Sequence, residues 1–156
     1  MMAGTSAGAA EMRQACDASV DVTDTDPAGT HVRSAPAGAV IATLKSSQNG
    51  WVSVHLAAQL GDWYEINSAS LVDSQRSGTL FRGKGYMHKS MLGVSGLQNG
   101  ARLYIDHDGK RPLVSHLAGD QPVILLGCRG PFLKVRVGKY SGWTREACTN
   151  MNTTCV

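Results

Sequence analysis

Charge and aromatic content are both low in this chain. Asp, Glu, Lys and Arg make up 17% of 156 residues, and Phe, Trp and Tyr only 6%. The net charge of +3 is far below the cationic density of dedicated nucleic-acid binders. Long apolar runs are missing too. The longest, around Val123–Gly127, is much shorter than the roughly 20 residues of a membrane-crossing helix. No C-x-x-C pair occurs, which argues against a zinc ribbon or a thioredoxin-type redox centre. No stretch carries an apolar stripe of helical period. The opening residues, MMAGTSAGAAEMRQA, lack both a basic start and an apolar centre, so they are no intact secretion signal. They read as a flexible leader over 1–16, such as remains when a signal is removed and a start Met added.

Glycine is abundant, at 18 residues, and hydrophobic residues reach 42%. That combination excludes disorder as a description of the whole chain and suits a turn-rich all-β protein. Cys16, Cys128, Cys148 and Cys155 are even in number. In a small Gly-rich protein this fits two disulfides and an oxidising compartment. Three connectivities are open. A Cys148–Cys155 loop pinning the tail, with Cys16–Cys128 as its complement, is the pairing expected here; buried free thiols are the alternative. Charge is unevenly spread. Residues 1–97 hold seven Lys/Arg against eight Asp/Glu, and residues 98–156 hold eight against four. Attraction to an anionic partner therefore belongs to the second half.

Two stretches are written nearly twice. GDWYEI (61–66) and GYMHKSML (85–92) are echoed by GPFLKV (130–135) and GWTREAC (142–148). A repeat of this kind makes each copy one structural unit. Units of about 60 residues lie near the lower limit for an independent core, so they should lean on each other or on cross-links. Strands are expected at Val40–Leu44, at Trp51–Leu56 and Trp63–Ile66 as a hairpin, and at Gly85–Met91. The second copy offers Ala101–Ile105, Pro112–Leu117, Val123–Leu126 and Leu133–Val137, with a last strand starting at Gly142-Trp143. In LKVRV, Leu133, Val135 and Val137 face the core while Lys134 and Arg136 face out. Residues 67–84 read as a polar insertion, and Ser95–Gly100 as the linker. The units are thus 17–96 and 97–156, the latter with a C-terminal tail.

HVRSAPAG (31–38), GDWYEI and GYMHKSML resemble the opening, central hairpin and closing motifs of bacterial Src-homology-3-like domains. His31 stands where Asn is usual and Tyr86 where Trp is usual. The second copy has lost the opening signature but keeps GPFLKVRV and GWTREAC. The resemblance implies two tandem, partly open β-barrels in an exported, periplasmic or secreted bacterial protein. It further implies a role in binding peptidoglycan or another envelope component.

Candidate chemistry is sparse. GTSAG (4–8) matches a nucleophile elbow but has no strand–turn–helix frame around Ser6. A Cys–His nucleophile is outweighed by structural disulfides. Asp106-His107-Asp108 with His116, and the set Asp21, Asp24 and Asp26, read as turn chemistry rather than metal sites. His31, His55 and His88 read as surface or edge residues. No metal and no cofactor is expected. Lys134, Arg136, Lys139 and Arg145, with Arg129, can form a basic face suited to an anionic polymer. Oligonucleotides are disfavoured because aromatics are not interleaved with these cations in sequence. Tyr64, Tyr86 and Tyr140 are candidates to line a groove, whereas Trp63, Phe132 and Trp143 are expected to pack the barrels. The expectation is a non-catalytic envelope-binding protein. The alternative is a protein–protein module, an inhibitor or assembly factor, that uses a strand edge or an aromatic groove.

Overall fold

Alternation of apolar and polar side chains generates strands that bury one face. The computed structural model describes residues 12–73, 75–118 and 121–148. In chain order the first strands are β1 (Gln14–Val22), β2 (Thr30–Arg33), β3 (Val40–Leu44), β4 (Gly50–Leu60), β5 (Trp63–Asp73) and β6 (Gly78–His88). A single 3-10 turn, Lys89–Met91, leads to β7 (Leu92–Gly93) and β8 (Gly96–Leu97). The second copy comprises β9 (Ala101–Tyr104), β10 (Pro112–Leu117), β11 (Ile124–Arg129), β12 (Phe132–Val137), β13 (Tyr140–Thr144) and β14 (Ala147–Cys148). The fold is all-β, and the first sheet curls into a half-barrel.

The repeat is visible in the topology. One sheet runs β3-β2-β6-β5-β4-β1-β7 and the other β10-β9-β13-β12-β11. Five strands therefore recur in the same spatial order, β2–β6 corresponding to β9–β13. Each copy turns into its central hairpin on a left-handed glycine, Gly61 at φ +59 and Gly130 at φ +53. Both sit in two-residue loops, between the Leu60–Trp63 and Arg129–Phe132 pairs.

Two expectations need correction. The polar insertion is regular structure: β5 and β6 continue as a hairpin, pairing Ser68 with Arg82, Ala69 with Phe81 and Leu71 with Gly78. Small side chains suffice there because β4 covers the other edge of β5, pairing Trp51 with Val72 and Ser53 with Ser70. The leader also ends earlier than expected, since β1 starts at Gln14 and lies along β4. Residues 1–11, with the GTSAG segment and Ser6, lie outside the described residues.

β1 ties the two units together. A bulge between Ala15 and Ala18 takes Cys16 and Asp17 off the β4 ladder. The freed backbone bonds the other unit instead: Asp17 N–H donates to Gly130 O and Gly130 N–H to Ala15 O, both at 2.8 Å. Beside them Cys16 and Cys128 form a disulfide across 112 residues, with Cα atoms 5.7 Å apart. Cys148 is disulfide-bonded as well, and its expected partner Cys155 lies outside the described residues. Gln59 reaches across to accept from Cys128 N–H at 3.1 Å. It fits because residue 127 is glycine: a Cβ there would come within 2.6 Å of Gln59 Oε1. The expected linker contains β8, which pairs with β14.

The core follows the same plan. Val20, Val54, Leu56, Tyr64 and Ile66 of the first unit form one buried cluster with Leu97, Leu103, Leu133, Val135 and Val137. Each fully buried aliphatic side chain contributes about 1.5–3 kcal/mol. Neither copy builds that core alone, in keeping with their small size.

Candidate functional site

The outward face of the second sheet presents several cations that form no ion pair among the described residues. β12 buries Leu133, Val135 and Val137 and exposes Lys134 and Arg136. Across the sheet Lys134 pairs with Trp143 of β13, which pairs with Tyr104 of β9. This row, Lys134–Trp143–Tyr104, runs over three strands. Phe132 shares the outward side of β12 and meets Tyr104 edge-on, with centroids 6.4 Å apart. His107 meets Trp143 edge-on at 5.5 Å.

Each ring carries a cation. Lys134 Nζ lies 5.8 Å from the Trp143 centroid, Arg102 Cζ 5.7 Å from Tyr104 and Arg145 Cζ 5.1 Å from Phe132. Lys139 sits 5.4 Å over Tyr140 at the β12–β13 turn. Such contacts are worth about 0.5–1 kcal/mol at exposed sites, enough to bias where a long side chain rests. Arg102 is also held by Glu146, at 3.6 Å. Among the described residues Lys134, Arg136, Lys139 and Arg145 have no ion pair. Those four cations are the ones the sequence singles out.

The aromatic assignments change in part, although Phe132 is buried as expected. Tyr64 is 1% exposed and Tyr86 7% exposed, so neither lines an open groove. Tyr64 shares the inward side of β5 with Ile66, and burial pushes its phenol well above the usual range. Tyr140 packs against the core. Trp143 and Tyr104 stand half-exposed in the cationic row, and Phe132 is covered by its neighbours on that face rather than by the core. Aromatics and cations are thus interleaved in space although they are not in sequence. The signal was present: once Leu133, Val135 and Val137 point inward, Phe132 and Lys134 must point out.

The equivalent row of the first unit is Glu65–Tyr86–Arg33, set by the Glu65–Tyr86 and Arg33–Tyr86 pairs. Here the carboxylate is buried and closed over. Arg13 Nε and Nη2 donate to Glu65 Oε1 and Oε2 at 3.1 and 3.0 Å, and Tyr86 Oη donates to Oε1 at 3.5 Å. The Arg13 hydrogen bonds hold the Glu65 carboxyl below its usual range against the opposing effect of burial. Trp63 and His88 meet edge-on at 5.1 Å, where the second copy has Phe132 and Arg145.

The remaining candidates are structural. Asp24 accepts from Asp26 N–H and Thr30 Oγ1, and Asp26 from Ala28 N–H. Asp106 accepts from His107 N–H and Asp108 from Lys110 N–H. His55 bridges Ser19 and Asp17, and His88 caps the 3-10 turn by accepting from Ser90 N–H. His31 is exposed on β2, and His116 is exposed at a left-handed φ of 59 in the irregular β10. No cluster of three or more metal-ligating side chains occurs among the described residues. Among them, too, no helix is long and apolar enough to cross a membrane. A cleft of about 500 Å³ opens in the first unit over Val22, Leu44 and Val52, rimmed by Asp24, Asp26 and Lys45. Its two carboxylates are engaged in turn bonds, so it shows less free charge than the basic face. Comparison of the chain with protein-family models, with curated proteins and with solved structures gives no match.

Proposed function

We propose that the chain is a non-catalytic, exported bacterial protein of two Src-homology-3-like barrels that binds an anionic envelope polymer such as peptidoglycan. The observation that carries this reading is the row Lys134–Trp143–Tyr104 with its flanking Arg145 and Arg136. It is an exposed sheet face on which unpaired cations are held over aromatic rings. The rings favour fixed positions for the cations, which lowers the entropy lost when carboxylates or phosphates bind. They also favour a saccharide or peptide chain over stacked bases, because the faces a base would need already hold Lys134 and Arg102.

The test is retention on purified peptidoglycan sacculi at low and high salt, for the native chain and for Lys134→Glu/Arg145→Glu. The native chain is retained at low salt and released at high salt, since exposed charges are screened beyond about 10 Å at 0.1 M salt. The variant is not retained. No retention of the native chain at low salt contradicts the proposal. Release of soluble muropeptides would reveal a hydrolase, and tighter salt-sensitive binding to single-stranded oligonucleotide would move the ligand to nucleic acid.

A second reading has one supporting observation. β3 is an edge strand of the first sheet, and its Val40 and Ile41 are 45% and 48% exposed. An uncharged, apolar edge is a template for a partner's strand. Salt-insensitive binding of a protein partner, abolished by Ile41→Lys, would favour that module.

A further inference from the structure

Asp21 occupies an unusual place for a carboxylate. It lies in β1 between Val20 and Val22, opposite Ser53 of β4 on one side and Gly93 of β7 on the other, and it is fully buried. Its Oδ2 accepts from Ser95 Oγ at 3.0 Å, and its Oδ1 has no partner. Ser95 belongs to the connector between the units. Its own N–H donates to Cys148 O of β14 at 2.9 Å. A continuous path thus runs from the first sheet through Asp21 and Ser95 to the closing strand of the second unit.

We propose that Asp21 and Ser95 form a proton-controlled latch between the two units, closed while the carboxyl is neutral and released when it ionises. A neutral carboxyl keeps the Ser95 bond without burying a charge. An ionised one needs a cation or several donors, and here it has a single hydroxyl. The side chains near it come from every packed element. β4 supplies Ser53 and, next along that face, Trp51 and His55; β7 supplies Gly93; β1 supplies Ser19, and Thr23 follows its end. The second unit brings Arg145 to the cleft beside Ser19. His55 is engaged by Asp17 and Ser19, and Arg145 by the Phe132 ring. Burial raises the carboxyl to about 7 and the Ser95 bond opposes it, with no cation compensating. On release the connector lifts while the Cys16–Cys128 bridge keeps the units tethered.

The test uses the full chain in two measurements. Carbon-detected NMR follows the Asp21 carboxyl, which titrates near neutrality if the latch exists; titration near the ordinary value of about 4 overturns it. Amide exchange follows the residue-95 N–H from mildly acidic to mildly alkaline pH. Native protection, relative to Asp21→Asn at the same pH, falls by up to about tenfold per pH unit as pH rises from about 4 to about 7 and levels off above that. Equal exchange in the two proteins overturns the proposal. Should Asp21→Asn fail to fold, Ser95→Ala serves instead. It loses protection at position 95 at every pH, and protection retained as in the native chain overturns the latch.

Discussion

The two units carry the same three-strand row and use it in opposite ways. In the first, Glu65 and Tyr86 of the row Glu65–Tyr86–Arg33 are buried, and Arg13, on the approach to β1, closes over the carboxylate. In the second, the corresponding Lys134–Trp143–Tyr104 is open, and its cation rests on a ring rather than on a carboxylate. One backbone plan therefore yields an internal ion pair in one copy and a presented cation in the other. What decides between them is the charge at one strand position, Glu65 or Lys134, and the extra strand β1. That strand flanks β4 in the first sheet and only touches the end of β11 in the second. On the proposed reading the first row contributes stability and the second recognition.

It can be broken in several ways. The largest effect is expected from Cys16→Ser/Cys128→Ser. A bridge closing 112 residues constrains the unfolded chain, so its loss should cost about 3–5 kcal/mol in denaturant unfolding. A loss under about 1 kcal/mol would show that the units hold together without it.

Asp21 comes next. Its folded carboxyl is raised from 3.8 to about 7, so the folded state binds the proton more tightly than the unfolded one. That stabilisation is complete below about pH 4 and is lost as pH rises to about 7, approaching about 4 kcal/mol in the limit. Asp21→Asn removes this decline. Unfolding free energies of the two proteins should diverge across that window, and parallel curves would contradict the assignment.

At the rows themselves, Lys134→Ala should weaken retention on an anionic polymer by about threefold to tenfold with little change in stability, as for an exposed charge. Glu65→Gln should do the reverse, lowering the thermal midpoint and leaving retention intact. If Glu65→Gln abolishes binding, the division of labour fails. The smallest effect belongs to Arg13→Ala. Glu65 is held below its ordinary range by Arg13, so this ion pair stabilises above the ordinary carboxylate range and fades as pH falls through the lowered value. The variant should therefore differ from the native chain at neutral pH and converge with it in acid, as read from thermal midpoints.

Much of this was legible from local pattern. Val40–Leu44 and Pro112–Leu117 were delimited by their turns, and the Leu133–Val137 alternation gave both the core side and the exposed pair Lys134 and Arg136. The Cys16–Cys128 bridge was the expected one of three open connectivities, chosen because Cys148 and Cys155 lie close in sequence. Residues 68–71 were misread because Ser and Ala satisfy a strand between two partners without any apolar signal. Trp63 and Tyr64 are adjacent, so size alone could not tell which faced in, though Ile66 shares parity with Tyr64 and held the answer. Arg13–Glu65 and Asp21–Ser95 are contacts across 52 and 74 residues. No local pattern encodes such distances, and they became visible only when β1 was placed.

The central claim is that the open row of the second sheet, and not its closed counterpart, meets the ligand. Amide and indole NMR shifts of the full chain, titrated with soluble peptidoglycan fragments at low salt, test it directly. The account predicts perturbations centred on Lys134, Trp143 and Tyr104, spreading to Arg102 and Arg145, with Glu65 and Tyr86 unmoved. Perturbations confined to the first unit, or none at all, would contradict it.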